Sequence, residues 1–169
     1  AYLVGDFALT TAGTFEDSVR NSRLYEGSFV LTNQKDTVAI TDVVKDGYPF
    51  FGGHMAVKFS YNYKAGMPTT LIVGGRYAIA EISVNGCDAG MLMFTDRIDL
   101  SEFLSDGKNE IEIALTNSNR NLMGPHHGHD PEPWGVGPWT FSMENGWDEN
   151  NQCGAYVNRY AFVRFGIDG

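Results

Sequence analysis

The stretch Tyr77-Ala78-Ile79-Ala80-Glu81-Ile82-Ser83-Val84-Asn85-Gly86 (residues 77–86) decides the fold class. The residues before the turn are rich in β-branched and apolar side chains, which predicts a β-strand. Asn85-Gly86 supplies two residues that accept positive φ, as a two-residue hairpin turn requires. Residues 91–94 are expected to form the returning strand. The stretch therefore predicts an antiparallel β-hairpin.

Alternating patterns on either side of this hairpin predict two longer strands. One runs over residues 55–63 and the other over residues 110–115. The first places on one face Met55, Val57, Phe59, Tyr61 and Tyr63. The second points inward with Ile111, Ile113 and Leu115, and outward with Glu110 and Glu112. Each strand is thus expected to bury one face and expose the other.

The remaining segments fit the same all-β pattern. Residues 2–9, 28–31, 69–73, 139–143 and 156–167 are predicted strands. Residues 99–104 fit one helical turn capped by Asp99 or Ser101, and residues 14–19 fit a short helix or a loop. Residues 117–138 are predicted to be a long loop. Many short strands and almost no helix predict a β-sandwich or barrel, with residues 1–169 forming a single domain.

Composition narrows the class of partner. The chain has 169 residues, of which 43% are hydrophobic and 20% charged, so global disorder is excluded. A net charge of −9 repels nucleic acid and anionic membranes, which leaves neutral sugars or another protein surface. The sequence contains no apolar run of membrane-spanning length, and its first residues do not show the pattern expected of a signal peptide. It opens directly on a strand-like run, so we expect a domain cut from a longer protein.

Several motifs resemble those of known sandwich domains. Residues 80–86, followed by Gly90, 98–100, Leu104, Gly107, Asn109, Ile111 and Ile113, resemble the sugar-binding-type β-sandwich domain of family-two glycoside hydrolases. Asn121-Leu122-Met123-Gly124-Pro125-His126-His127 sharpens this likeness, as do residues 47–53 and 4–7. Together they are similar to the C-terminal galactose-binding-like sandwich of large bacterial glycosidases, including α-L-rhamnosidases.

This resemblance implies a two-sheet, galactose-binding-domain-like jelly-roll β-sandwich. It implies a bacterial parent enzyme, secreted or cytoplasmic, whose catalysis lies in another domain. The chain itself is then a non-catalytic accessory domain that braces the catalytic domain of the parent. The alternative is a free-standing carbohydrate-binding module.

The loop region holds the best candidates for carbohydrate contact. Aromatic rings can receive the flat apolar faces of sugars, and nearby polar side chains can bind the sugar hydroxyls. The residues that combine these properties are Trp134, Trp147, His127, His129 and Glu132. The competing interpretation is that the indoles are core or interface aromatics.

The same loop suggests metal sites. A third interpretation is a jelly-roll metalloenzyme that uses His126, His127 and His129, with Asp130 or Glu132 as a further ligand or as a residue that orients the ligands. Against this, the spacing matches no established zinc motif, and most jelly-roll metalloenzymes collect their His ligands from separate strands. Packing of the loop is the simpler interpretation. Residues 144–151 are rich in oxygen ligands that suit a structural calcium ion, although a solvated loop is the simpler interpretation.

Two further pairs of side chains are candidates for a functional role. Glu110 and Glu112 stand about 7 Å apart along one strand, a distance compatible with a glycosidase pair. They are nevertheless interpreted as an exposed outer face, because nothing separates their pKa values. Cys87 and Cys153 either pair or remain two buried thiols.

Overall fold

The computed structural model describes residues 3–123 and 159–168, and in this part the chain is all-β. The strands are β1 (Phe7–Thr11), β2 (Glu16–Asp17), β3 (Ser22–Tyr25), β4 (Phe29–Asn33), β5 (His54–Tyr63), β6 (Thr70–Ile72), β7 (Gly75–Arg76), β8 (Ile79–Val84), β9 (Cys87–Leu92), β10 (Arg97–Asp99), β11 (Gly107–Thr116), β12 (Tyr160–Val163) and β13 (Gly166–Ile167). Every described pairing is antiparallel.

The chain divides into two compact units. The first contains Ala1–Phe51 and Arg120–Arg164, and the second contains Gly52–Asn119 and Phe165–Gly169. The predicted last strand over 156–167 is therefore split within its described part, because β12 belongs to the first unit and β13 to the second. The assignment of residues 1–169 to one domain stays a prediction. No helix in the described ranges is long and apolar enough to span a membrane.

The second unit is built on a four-stranded sheet in the order β5-β11-β8-β9. Ile113 of β11 lies opposite Val57 of β5 and Ile82 of β8, so apolar side chains of three strands share one face. The fully buried members of this face are Ala80, Ile82, Val84, Ile111, Ile113 and Leu115. The predicted alternation of residues 110–115 is thus confirmed. Two short pairs, β6–β10 and β7–β13, complete the unit.

The hairpin predicted at the end of β8 is present. Asn85 has φ 52° and Gly86 has φ 80°, and Val84 pairs with Cys87 across the turn. The returning strand β9 begins at Cys87, earlier than the expected residue 91, because the two-residue turn pairs the chain at once. Cys87 is exposed, so the alternative of two buried thiols is wrong for this residue, while Cys153 lies outside the described residues.

A buried amide joins this hairpin to the turn that precedes β11. Asn109 is fully buried, and its Oδ1 accepts hydrogen bonds from the Ser105 N–H (3.0 Å) and from Asn85 Nδ2 (2.9 Å). Its Nδ2 donates to the carbonyl oxygens of Ser105 (2.8 Å) and Gly107 (3.0 Å). Two turns of the chain are therefore fixed to one side chain, which leaves no buried polar atom of that side chain unpaired.

One of the two expected helical segments is present as a single turn. The N–H groups of Phe103 and Leu104 both donate to the Leu100 carbonyl oxygen. Asp99 is the cap, because its Oδ1 accepts from the Ser101 N–H at 3.1 Å.

The helix alternative for residues 14–19 is wrong. Glu16–Asp17 is extended and pairs with β3, and only a 3₁₀ turn follows at Val19–Asn21. Arg20 and Asn21 have φ values of 52° and 62°, so the chain reverses there and cannot continue as an α-helix.

The first unit contains the sheet β12-β3-β2, the pair β1–β4 and an aromatic core. Tyr25 and Phe162 are almost completely buried together with Val44. Around them pack Phe15, Phe29, Phe50 and Tyr160. The Phe50 and Phe162 rings meet edge to face at 5.1 Å, the geometry that aromatic pairs prefer.

A charged network holds the segment that carries Val44 onto this unit. Arg23 of β3 is 9% exposed, and its Nε lies 2.6 Å from Asp42 and 3.2 Å from Asp17. Lys45 Nζ lies 2.6 Å from Asp17. The buried guanidinium therefore has two carboxylate partners, which compensate for its removal from water.

A second carboxylate, that of Asp46, stabilises the segment formed by residues 35–48, which includes Val44. Asp46 pairs with Lys35 Nζ at 2.5 Å and accepts a hydrogen bond from the Ala39 N–H at 2.5 Å. The Lys35 N–H donates to the Tyr48 hydroxyl at 3.0 Å. Residues 35–48 are thus fastened to one another by charge-assisted hydrogen bonds.

These contacts make the stability of the first unit dependent on pH. The hydrogen bond from Lys45, aided by the charge of Arg23, holds the pKa of Asp17 below its ordinary 3.8. Burial raises the pKa of Asp46, but the hydrogen bonds from Lys35 and the Ala39 N–H outweigh burial and lower it overall. Because both carboxyls bind protons more weakly in the folded state, their stabilisation is complete at neutral pH. It is lost as the pH falls through about 4 and below.

We expect the urea midpoint to fall between neutral pH and about pH 3, and Lys35→Ala to reduce that difference. The variant removes the partner that lowers the pKa of Asp46. Urea unfolding followed by circular dichroism at both pH values measures the effect. Lys64→Ala, in an exposed turn of the second unit, is the matched control and should keep the full difference. An unchanged difference in Lys35→Ala would contradict the assignment.

Candidate functional site

The residues predicted to contact carbohydrate lie outside the described part of the chain. This holds for Trp134, Trp147, His127, His129 and Glu132, for His126 and Asp130 of the proposed metal cluster, for Trp139, and for the calcium candidate at residues 144–151. These assignments stay predictions. Within the described ranges, no group of three or more His, Cys, Asp or Glu side chains is placed to hold a metal ion.

The described residues do show how the chain is anchored just before this region. Asn121 is 2% exposed. Its Nδ2 donates to the Val163 carbonyl oxygen and its Oδ1 accepts from the Val163 N–H, both at 2.8 Å. Arg120 donates to the neighbouring Ala161 carbonyl oxygen at 3.3 Å. The Asn121 amide therefore takes the place of a strand partner for β12. Asn121 precedes the candidate region in sequence, and β12 follows it.

The sequence predicted no role for Asn121. The residue is nevertheless the first of the motif 121–127 on which the resemblance depends, and its place in that motif was the one indication that it matters. The structure gives Asn121 a scaffolding role, because both polar atoms of its amide are bound to the backbone of Val163.

We expect Asn121→Ala to lower the free energy of unfolding by about 3 kcal/mol, because it leaves a buried N–H and a buried carbonyl without partners. Urea unfolding measures this loss, and hydrogen exchange should show faster exchange at the Val163 N–H. Asn33→Ala, on an exposed position of β4, should cost far less. Equal costs in the two variants would show that the Val163 contact is not the reason.

The second unit exposes an unusual set of apolar side chains, which we call the β9–β10 apolar segment: Met91, Met93 and Phe94, with Ile72 of β6. Phe94 is 97% exposed, Ile72 60% and Met91 56%. Ile72 is joined to the chain just after Phe94, because the Val73 N–H donates to the Asp96 carbonyl oxygen at 2.7 Å and Ile72 pairs with Arg97. Residues 91–94 were predicted as a strand, yet only Leu92 is buried.

Charged groups accompany this apolar segment. Glu81 of β8 lies opposite Met91, and Asp96 forms an exposed ion pair with Arg97 at 3.0 Å. The hydrogen bond from Arg97 lowers the pKa of Asp96. Asp88, at the start of β9, accepts a hydrogen bond from the Gly90 N–H. Three carboxylates, Glu81, Asp88 and Asp96, thus accompany a single cation, Arg97, around this apolar segment.

The carboxylates Glu110 and Glu112 lie on the polar face of the four-stranded sheet, opposite the buried Ile111 and Ile113, as predicted. Glu112 pairs with Lys58 of β5 at 3.0 Å, and this hydrogen bond raises the pKa of Lys58. Glu110 is exposed. His54 and Thr116 hydrogen-bond to each other at 2.9 Å farther along the same strands. This is the arrangement of a solvated sheet face with cross-strand charge pairs.

A row of aromatic rings follows the edge strand β5. Phe59 is 39% exposed and Tyr61 and Tyr63 are half-buried, all on one face. The Tyr61 and Tyr63 ring centroids are 6.3 Å apart. Tyr61 donates to the Pro68 carbonyl oxygen, which fixes its ring. Gly107, the partner of Tyr63, has open space where a side chain would stand, so the neighbouring strand does not cover this end of the row.

Comparison with known proteins gives a limited likeness. No protein-family model and no curated protein matches the chain. The structure is similar to part of a rhamnosidase from Novosphingobium sp. PP1Y, with a TM-score of 0.41 and 20% sequence identity. The match covers 71% of this chain and only 12% of that enzyme. The likeness is to a small part of that rhamnosidase, and at this level of similarity it assigns neither an activity nor site residues to this chain.

Proposed function

We propose that this chain is a non-catalytic accessory domain of a bacterial glycoside hydrolase, a jelly-roll β-sandwich of the galactose-binding-like type that braces the catalytic domain. The observation that carries the proposal is the β9–β10 apolar segment, with Phe94 97% exposed. The motifs around residues 80–86 and 121–127 support the choice of enzyme class through their resemblance to glycosidase sandwiches.

The exposed side chains suit a protein partner. Single exposed apolar residues are ordinary, but several large ones on connected segments mark interaction surfaces. Phe and Met are enriched at the centres of such surfaces, and burial of each would contribute about 2 kcal/mol. Met side chains also adapt to the shape of a partner.

The charge of the chain restricts this partner further. A net charge of −9 and the carboxylates Glu81, Asp88 and Asp96 near the segment disfavour nucleic acid and anionic lipid. The proposed partner surface, on the catalytic domain of the parent, is therefore an apolar recess bordered by Lys or Arg. Such a border steers association and selects the correct register.

The test is binding in trans between this chain and the remainder of its parent glycoside hydrolase. We expect Phe94→Asp to weaken binding by about tenfold or more in calorimetry, because it places a charge in an apolar contact. The variant should fold normally, since Phe94 contributes almost nothing to the interior. Val30→Asp, which places a charge at an exposed apolar position of the first unit, is the matched control. It should bind as tightly as the unsubstituted chain does. Unchanged binding in Phe94→Asp would refute the brace surface.

A second candidate function is carbohydrate binding. It is favoured by the aromatic row Phe59, Tyr61 and Tyr63, whose open end beside Gly107 offers a flat ring to a neutral ligand. Trp134 and Trp147, predicted from the sequence, are the other candidate rings. This function differs from bracing because it needs only the isolated chain.

A glycan array followed by calorimetry on the isolated chain separates the two functions. If the chain is a carbohydrate-binding module, saturable binding should weaken by about tenfold on removal of a stacking ring. Loss in Tyr63→Ala would place the site on β5, and loss in Trp134→Ala or Trp147→Ala would place it in the loop region. Phe94→Ala is the matched control. Absence of binding to every glycan would reject this second function and leave the brace proposal unaffected.

A further inference from the structure

Asn85-Gly86 combines a reactive sequence with an unusual restraint. In an Asn-Gly sequence the glycine backbone nitrogen can attack the asparagine side-chain carbonyl carbon, and glycine offers no side chain to hinder the attack. Asn85 is exposed at the tip of the β8–β9 hairpin, so water reaches it. No bound group is needed for this chemistry. The question is therefore what keeps the amide intact in the folded protein.

Both polar atoms of the Asn85 side chain are held. Its Nδ2 donates to Asn109 Oδ1 at 2.9 Å, and its Oδ1 accepts from the Glu110 N–H at 2.9 Å. The backbone is held as well, because the Asn85 N–H donates to the Glu110 carbonyl oxygen at 2.8 Å. Attack by Gly86 requires the side chain to leave these partners and the turn to change its φ and ψ angles.

The hydrogen bonds of the Asn85 side chain to Asn109 and Glu110 are called the amide clamp. We propose that Asn85 is a self-modification site: the amide clamp suppresses its deamidation, the conversion of the side-chain amide to an acid, and deamidation begins when the clamp opens. The inference does not depend on the proposed brace function. It rests on the hydrogen bonds of Asn85 to Asn109 and Glu110, and on the positive φ of both turn residues.

The reaction balances without any other reagent than water. The Gly86 nitrogen loses its proton and bonds to Asn85 Cγ, the Cγ–Nδ2 bond breaks, and ammonia leaves with the proton. The resulting cyclic imide is hydrolysed by one water molecule. Opening at one carbonyl gives aspartate, and opening at the other gives isoaspartate with an additional methylene group in the main chain.

Either product destroys the clamp that delayed it. A carboxylate at position 85 has no N–H to offer Asn109 Oδ1, so two acceptors face each other. Asn109 cannot rotate its amide to compensate, because its Nδ2 already donates to the carbonyl oxygens of Ser105 and Gly107. Isoaspartate also lengthens a turn that accepts only two residues. The modification therefore weakens the joint between the hairpin and β11.

Peptide mass spectrometry of aged protein tests the proposal. The intact chain is incubated in mildly alkaline ammonium-free buffer, folded or unfolded in urea, and the amide-to-acid mass increase is followed at residues 85 and 145. In urea, Asn145-Gly146 is an internal reference for the deamidation rate of an unfolded Asn-Gly sequence, because it is the same dipeptide. We expect both sites to react alike in urea, and Asn85 to react about tenfold more slowly in the folded protein. Equal folded and unfolded rates at Asn85 would overturn the proposal.

A clamp variant separates the side-chain restraint from the turn itself. Asn109→Ala removes the acceptor of Asn85 Nδ2 and should raise the rate at Asn85 in the folded protein by about threefold to tenfold. Circular dichroism verifies that the variant is folded, and Asn62→Ala, an exposed site on β5, is the control. A folded variant with an unchanged rate would refute the clamp. If Asn109→Ala does not fold, the comparison of the folded with the unfolded unsubstituted chain still decides whether folding suppresses the reaction at Asn85.

Discussion

The buried amide of Asn109 is the interaction on which the second unit depends most. Its two acceptor bonds and two donor bonds join the turn at 105–107, the hairpin tip at Asn85 and the start of β11. A polar group removed from water is tolerated only when its hydrogen bonds are complete, so the three segments must take up one arrangement together. The apolar face of β8 and β11 is then fixed in register, because β11 begins at Gly107 and β8 ends one residue before Asn85, and both Gly107 and Asn85 are bound to this amide. Packing supplies the energy of the sheet, and the amide supplies its alignment.

The sequence predicted the fold best for strands that have one apolar and one polar face. The alternation of residues 55–63 and 110–115 and the Asn85-Gly86 turn predicted β5, β11 and the β8–β9 hairpin, because local spacing determines these features. It missed β2 and β3, where Arg23 interrupts the apolar pattern. That side chain is buried only because Asp17 and Asp42 come from elsewhere in the chain. A local pattern contains no information about such partners, so the strand was not recognised.

The candidate surface illustrates a different limit. Residues 91–94 are all apolar, and they were predicted as the returning strand of the hairpin. In the structure Leu92 is buried at 1% exposure, whereas Phe94 is 97% exposed. Hydrophobicity indicates that a side chain will leave water, but it does not say whether it does so in its own domain or against a partner. Only the positions of the neighbouring strands distinguish burial within the domain from burial against a partner. Those positions identify the β9–β10 apolar segment as a candidate surface for bracing another domain.

The motifs that resemble glycosidase sandwiches acquire a more restricted meaning from these contacts. Asn85, Asn109 and Asn121 all lie within them, and each amide is bound to groups of the chain itself. An amide whose donor and acceptor are both engaged in this way is poorly placed to bind a sugar hydroxyl without loss of the fold. These asparagines are therefore scaffold residues, and their resemblance speaks for architecture rather than for sugar recognition. Function must rest on side chains that the fold does not require, which in the described ranges means the β9–β10 apolar segment and the aromatic row of β5.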